Sequence, residues 1–104
     1  MGVLRYDHRT FEFEDRLLVH LQIVVGLKLR RAECFYLSWL PGHGSGIGRQ
    51  AIWIATGVAL HFDYSGTRLP SVNRDWIEHL VASSHSGMGL NLSDEANREP
   101  AALQ

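Results

Sequence analysis

The chain has 104 residues, 45% of them apolar and 20% charged, with a formal net charge of −1. That length holds one domain with one core, and the composition is that of a folded protein rather than a disordered one. The charge excludes the overall basic excess on which duplex-binding domains depend, so any contact with nucleic acid would need a local patch.

Residues 2–6 and 10–13 are short runs rich in β-formers, joined by Asp7, His8 and Arg9, and they predict a hairpin. Asp15 is placed to cap a main helix over residues 16–31, whose last turn carries Lys28, Arg30 and Arg31 at the negative end of the helix dipole. Gly26 inside it costs about 1 kcal/mol relative to alanine. One apolar stripe runs along Leu18, Leu21, Val25 and Leu29, and a second along Val19, Ile23 and Leu27. A helix lying on one sheet needs a single apolar face, so the second stripe must be covered too. Two covers present themselves. Either another segment of the chain packs there, or Val19, Ile23 and Leu27 enter a homodimer contact.

Residues 33–40 predict the next strand, and the glycine-rich segment 41–48 a flexible connection. Strands are expected over 50–55 and 58–64, with Thr56 and Gly57 as a tight turn between them. Within the second of these, Leu60, Phe62 and Tyr64 alternate with His61 and Asp63, so the latter two share one exposed face. A second helix is expected from Asn73 as N-cap, with Val72 and Ile77 as a hydrophobic staple. It ends in the Ser83–Ser86 run before Gly87. Residues 90–92 add an optional strand, and 93–104 read as a flexible polar tail.

The expected fold is therefore α+β: β-β-α-β-β-β-α with an optional last strand. Short connections predict one antiparallel sheet of five or six strands with both helices on one face, in a single domain over residues 1–92.

No catalytic constellation emerges. The alternating glycines of 42–48 match neither G-x-x-x-x-G-K-[ST] nor G-x-G-x-x-G, and a strand rather than a helix follows them. A triad of Ser45, His61 and Asp63 can be drawn on paper, but Ser45 sits in the glycine loop, not in a strained strand–helix turn. His61 with Asp63 is too few ligands for a metal site, and His79 and His85 share no helical face, so neither metal nor cofactor is expected. Cys34 is the only cysteine, which excludes an intrachain disulfide; its apolar neighbours predict a buried, inert thiol. Arg30, Arg31, Arg49 and Arg68 are candidates for one anion- or nucleic-acid-binding edge, with Trp39 and Trp53 on the flanking strands. The rival reading is a small nucleotide- or anion-binding protein or enzyme that uses the 41–49 loop, through His43 and Arg49, with His61 and Asp63.

The N-terminal segment lacks an apolar signal region, and no apolar stretch nears the roughly 20 residues of a membrane span, so a cytoplasmic protein with no membrane partner is expected.

Three stretches carry a resemblance: residues 14–22 (EDRLLVHLQ), 48–54 (GRQAIWI) and 65–76 (SGTRLPSVNRDW). They resemble a family of small actinobacterial proteins of unknown function, over nearly the whole chain to about residue 92. Members are often labelled ATP-dependent DNA ligases, which implies adenylation of the lysine in a K-x-D-G motif. Lys28, the only lysine, is followed instead by Leu29, Arg30 and Arg31, and its apolar helical neighbours place it away from a pocket rim. Ligase activity of this chain alone is excluded on that reading. The expectation that remains is a non-enzymatic interaction module, homodimeric, with an accessory role beside a protein partner in DNA processing.

Overall fold

The computed structural model describes residues 1–42 and 46–100. Strands β1 (Gly2–Tyr6) and β2 (Arg9–Phe13) form the anticipated hairpin, turning through Asp7 at a left-handed φ of 58°. Helix α1 follows (Asp15–Arg30), then β3 (Phe35–Trp39), β4 (Gln50–Ile54), β5 (Leu60–Asp63), α2 (Arg74–Ser83), β6 (Leu90–Asn91) and a 3-10 turn over Glu95–Asn97. No helix among the described residues is long and apolar enough to cross a membrane.

The α+β class and the order of elements match expectation, but the strands do not join in one antiparallel sheet. They divide into two three-stranded sheets, β2-β1-β5 and β4-β3-β6, and β6 lies parallel to β3. The division follows from side-chain parity. A two-residue turn at Thr56 and Gly57 would set Ile54 opposite Ala59 and Ile52 opposite His61. Directly opposed residues share a face, so Leu60 and Phe62 would then point away from Ile52 and Ile54. Pairing β5 with β1 resolves the conflict: Leu60 faces Tyr6 and Phe62 faces Leu4, on the side that packs against the core.

Two aromatic connections hold the sheets together. The Tyr6 hydroxyl donates to the Trp53 carbonyl at 2.5 Å and accepts from the Ala55 amide at 3.0 Å, where the chain leaves β4. Phe11 and Phe13 of β2 meet the buried Trp39 ring edge-on, with centroids 4.9 and 5.1 Å away. The core between them is filled by Leu4, Leu18, Leu21, Leu37, Ile54, Leu80 and Leu90, all fully buried. Burying each such leucine contributes roughly 1.5–3 kcal/mol.

The helix ends differ from the reading in an instructive way. Glu14, not Asp15, is the N-cap of α1, and its side chain makes no capping bond. Asp15 instead accepts from the Ser65 hydroxyl at 2.7 Å and the Ser65 amide at 3.3 Å, and these bonds hold its carboxyl below the usual carboxylate range. Asn73 caps α2 as anticipated, its Oδ1 accepting from the Trp76 amide; Val72, the outer member of the expected staple, is exposed.

Residues 93–100, read as part of a flexible tail, make specific contacts. Asn97 is buried, its carbonyl accepts from Trp76 Nε1 at 2.9 Å, and Glu99 forms a two-pronged pair with Arg16 of α1. Glu99 also accepts from Asn73 Nδ2 at 3.0 Å. His20, fully buried, completes this cluster: its Nδ1–H donates to the Arg16 carbonyl at 2.6 Å, and its Nε2 accepts from the Asn73 amide at 2.9 Å. These two bonds fix its tautomer and tie α1 to the start of α2. The remaining tail, 101–104, lies outside the described residues.

Candidate functional site

Among the openings that border α1, one lies at its C-terminal end and one along its flank. The first is built by the way the helix stops. Ala32 adopts φ 58°, its amide bonds the Leu29 carbonyl at 2.9 Å, and the Glu33 amide bonds the Lys28 carbonyl at 2.9 Å. This is a Schellman motif with alanine where glycine is usual. It folds the chain back so that the Glu33 carboxylate lies 3.4 Å from Lys28 Nζ.

Lys28 is accordingly not a core-facing residue remote from any pocket. Only 3% of its side chain is exposed, yet it lines a cleft of about 520 Å³ with Glu33, Cys34, Tyr36, Trp53 and His85. Its ammonium lies 3.5 Å from His85 Nδ1 and 5.5 Å from the centroid of the Phe35 ring. The Glu33 oxygen facing it is buried and has no other partner among the described residues. One wall of the cleft is aromatic: Tyr36 and Trp53 pack edge-to-face, centroids 4.8 Å apart, although each is about half exposed. Trp53 is thus not a core residue, whereas Trp39 is. Cys34, expected to be buried, is exposed on the rim of this cleft, because the turn at Ala32 directs Phe35 rather than its neighbour into the core.

Gly89 closes the other side. Its φ is 77°, and a Cβ there would meet the Tyr36 carbonyl oxygen at 2.2 Å. Only glycine lets the chain pass so close before β6 pairs with β3.

The second opening is a groove of about 480 Å³ between α1 and β5. Its walls are Ile23, Leu27 and Leu29 from the helix and Leu60 and Phe62 from the strand, with Gln22 and Arg30 at the rim. Val19 is buried within the chain, so of the three residues assigned to self-association only Ile23 and Leu27 face this groove. A third hollow, of about 800 Å³, lies beside β2 and is lined by Phe11, Trp39 and Ile47. It gathers no group of opposite charges comparable to the Lys28 cleft.

The four arginines proposed as one edge are dispersed. Arg30 and Arg31 are exposed at the end of α1. Arg68 lies in the 65–71 segment, which is fastened to the opposite end of α1 through Asp15–Ser65 and through Arg16 Nη1 donating to the Ser71 carbonyl at 2.8 Å. Sixteen helical residues, a separation of about 24 Å, lie between the two ends. Arg49 precedes β4 and donates to Asn91 of β6 at 3.1 Å. His61 and Asp63 do share the exposed face of β5, and Asp63 pairs with Arg5 at 3.4 Å, but they belong to the other sheet from Arg49. His43 and Ser45, with the centre of the glycine-rich loop, lie outside the described residues. Among the described residues no group of three or more His, Cys, Asp or Glu side chains is gathered to hold a metal ion.

Sequence reasoning missed the cleft because its members are far apart in the chain, from Lys28 to Gly89. One local signal was available: a helix ending in Lys-Leu-Arg-Arg-Ala-Glu, where a return turn brings the glutamate back over the lysine.

Neither a curated protein nor a solved structure matches the chain. The model of a family described as a domain of unknown function (DUF7882) matches residues 1–95, and the chain belongs to that family.

Proposed function

We propose that the protein is a non-catalytic interaction module that assembles with a second copy of itself through the α1–β5 flank. The observation that supports this most directly is the apolar groove. Ile23, Leu27, Leu60 and Phe62 line a concave surface along an edge strand, and no segment among the described residues fills it. An edge strand beside an apolar groove is what soluble proteins otherwise blunt with charge, proline or a covering loop. Light scattering on the purified protein should give twice the 11.7 kDa chain mass. Ile23→Glu, which places a carboxylate in the groove, should return it to the single mass with little change in melting temperature. A wild-type monomer at high micromolar concentration refutes the reading.

A second reading is favoured by the Lys28 cleft. A half-exposed aromatic pair beside a lysine, a glutamate and a histidine suits a planar, polar small molecule, stacked on Trp53 and hydrogen-bonded at its edge by His85. Among the three tryptophans Trp53 alone is half exposed, so ligand binding there would quench the solvent-accessible part of the emission. A panel of nucleosides, nucleotides and aromatic carboxylates that leaves both the emission and the melting temperature unchanged removes this reading.

A further inference from the structure

The way in which the two copies would join is written in the strand register, and it rests on the self-assembly reading above. In an antiparallel pair, alternate residues direct their N–H and C=O groups towards opposite edges. The Asp7 amide donates to the Ala59 carbonyl at 2.9 Å, so Ala59, His61 and Asp63 direct their backbone groups inward to β1. Leu60 and Phe62 direct theirs outward, along the free edge of the β2-β1-β5 sheet. Tyr64, the next residue of that parity, follows directly after the strand.

We infer that two copies pair β5 to β5 in antiparallel fashion, with Phe62 opposite the partner's Phe62, forming one continuous six-stranded sheet across a twofold axis. Of the registers that bring outward-facing residues together as hydrogen-bonded pairs, two place the axis at the middle of β5. One centres on His61: it sets histidine opposite histidine and leaves Asp63 opposite the partner's Ala59. The other centres on Phe62: it sets His61 opposite the partner's Asp63 on both sides of the axis, and Leu60 opposite the partner's Tyr64. Polar complementarity selects the second, since an imidazole N–H can donate to the carboxylate set opposite it, whereas the first sets two imidazoles together and leaves Asp63 opposite an alanine.

The groove agrees with this arrangement. Leu60 and Phe62 face α1, so a continuous sheet would bring the two grooves together on one face, Ile23 and Leu27 of each helix meeting above the paired phenylalanines. Gly26 lies on that same flank of α1, with nothing beyond its own stretch of helix within 4 Å of where a Cβ would stand. A glycine that weakens the helix internally leaves room there for the partner helix to approach.

The register is tested by cross-linking at exposed positions that leave the core intact. In a Cys34→Ser background, His61→Cys and Asp63→Cys proteins are prepared separately, mixed and mildly oxidised. Residues 61 and 63 of the two copies would form a non-hydrogen-bonded pair with Cα atoms about 4.5 Å apart, within disulfide range. Two copies of residue 61 would be diagonal neighbours at about 7–8 Å, beyond it. The expected result is a covalent dimer in the mixture and loss of that band when either variant is oxidised alone. His61→Asp should weaken the dimer by placing like charges together, and His61→Lys should retain it. A dimer that cross-links through His61→Cys alone overturns the register while leaving self-assembly standing. A protein that stays at the single-chain mass overturns both.

Discussion

The end cleft and the flank groove beside α1 are made of opposite materials. Along the flank, the groove is walled by aliphatic and aromatic side chains, with polar side chains only at its rim and the backbone of an edge strand alongside. At the C-terminal end, the cleft is walled by charged and aromatic side chains whose positions depend on two left-handed residues, Ala32 and Gly89. A surface of the first kind recognises another chain by shape and strand pairing. A surface of the second kind recognises a ligand by fixed charges, and it is only as good as the backbone that fixes them. It follows that changes to the backbone and ion pair that fix the cleft should register in stability, changes to its exposed ring should not, and changes in the groove should register in assembly.

The largest expected effect is on the cleft side. Gly89→Ala places a methyl group against the Tyr36 carbonyl in a backbone conformation that alanine disfavours. Separating β6 from β3 or straining the turn should cost about 3 kcal/mol, a fall in melting temperature of at least about 12 °C. The same change should not alter the oligomeric mass of whatever protein remains folded. A variant as stable as wild type would show that the contact at Gly89 does not set the cleft.

Next comes Lys28→Met, which leaves the buried Glu33 oxygen without its one partner. Because Glu33 is 39% exposed, the expected loss is about 1–2 kcal/mol rather than that of a fully buried pair. Adding Glu33→Gln should recover most of it, since the stranded charge is then gone. Denaturant melts of the two single variants and the double variant measure this coupling. If Lys28→Met alone is neutral, the ion pair does not organise the cleft.

How far these features were legible in the sequence follows the same division. Elements written in local pattern were readable: the β1–β2 hairpin, α1 and α2, and the Asn73 cap all follow from alternation, helical spacing and turn chemistry. Sheet membership was not, because it depends on which distant strand shares a face with Leu60 and Phe62. Parity at Thr56–Gly57 already argued against the hairpin, and that argument uses only the sequence. The apolar surplus of α1 pointed to the flank groove, though Val19 is covered internally and the partner surface comes from β5. The cleft was hidden because Lys28 looked like a capping cation. What it faces is set by Glu33, Trp53 and His85, which no periodicity brings together.

The region around Arg16, at the other end of α1 from the cleft, gives an independent control. Glu99 is held at about 2, well below the usual carboxylate range, first by hydrogen bonds from Arg16 and then by Asn73. A depressed carboxylate contributes its stability above the unfolded value near 4.5 and loses it as pH falls towards about 2. With the pair partly exposed, solvent screening limits the contribution to about 1 kcal/mol. Glu99→Gln should therefore melt lower than wild type at pH 7, and the difference should vanish in acid. Neither the oligomeric mass nor Trp53 emission should change. If either did, the openings would not be independent of the helix that separates them.

The smallest expected effect on stability is also the sharpest test of the contrast. Trp53→Leu removes an aromatic ring that is half exposed and packs edge-to-face on Tyr36. The lost edge-to-face contact is worth about 0.5–1 kcal/mol, because the strand backbone and the Tyr6 bond to the residue 53 carbonyl are retained. In the same variant, acrylamide should quench far less of the remaining emission, since Trp39 and Trp76 are buried. A ring that contributes so little to folding yet stays exposed beside Lys28 and His85 has no structural need to be tryptophan. If Trp53→Leu costs several kcal/mol instead, the ring belongs to the fold, and the cleft loses its claim to be a ligand-facing surface.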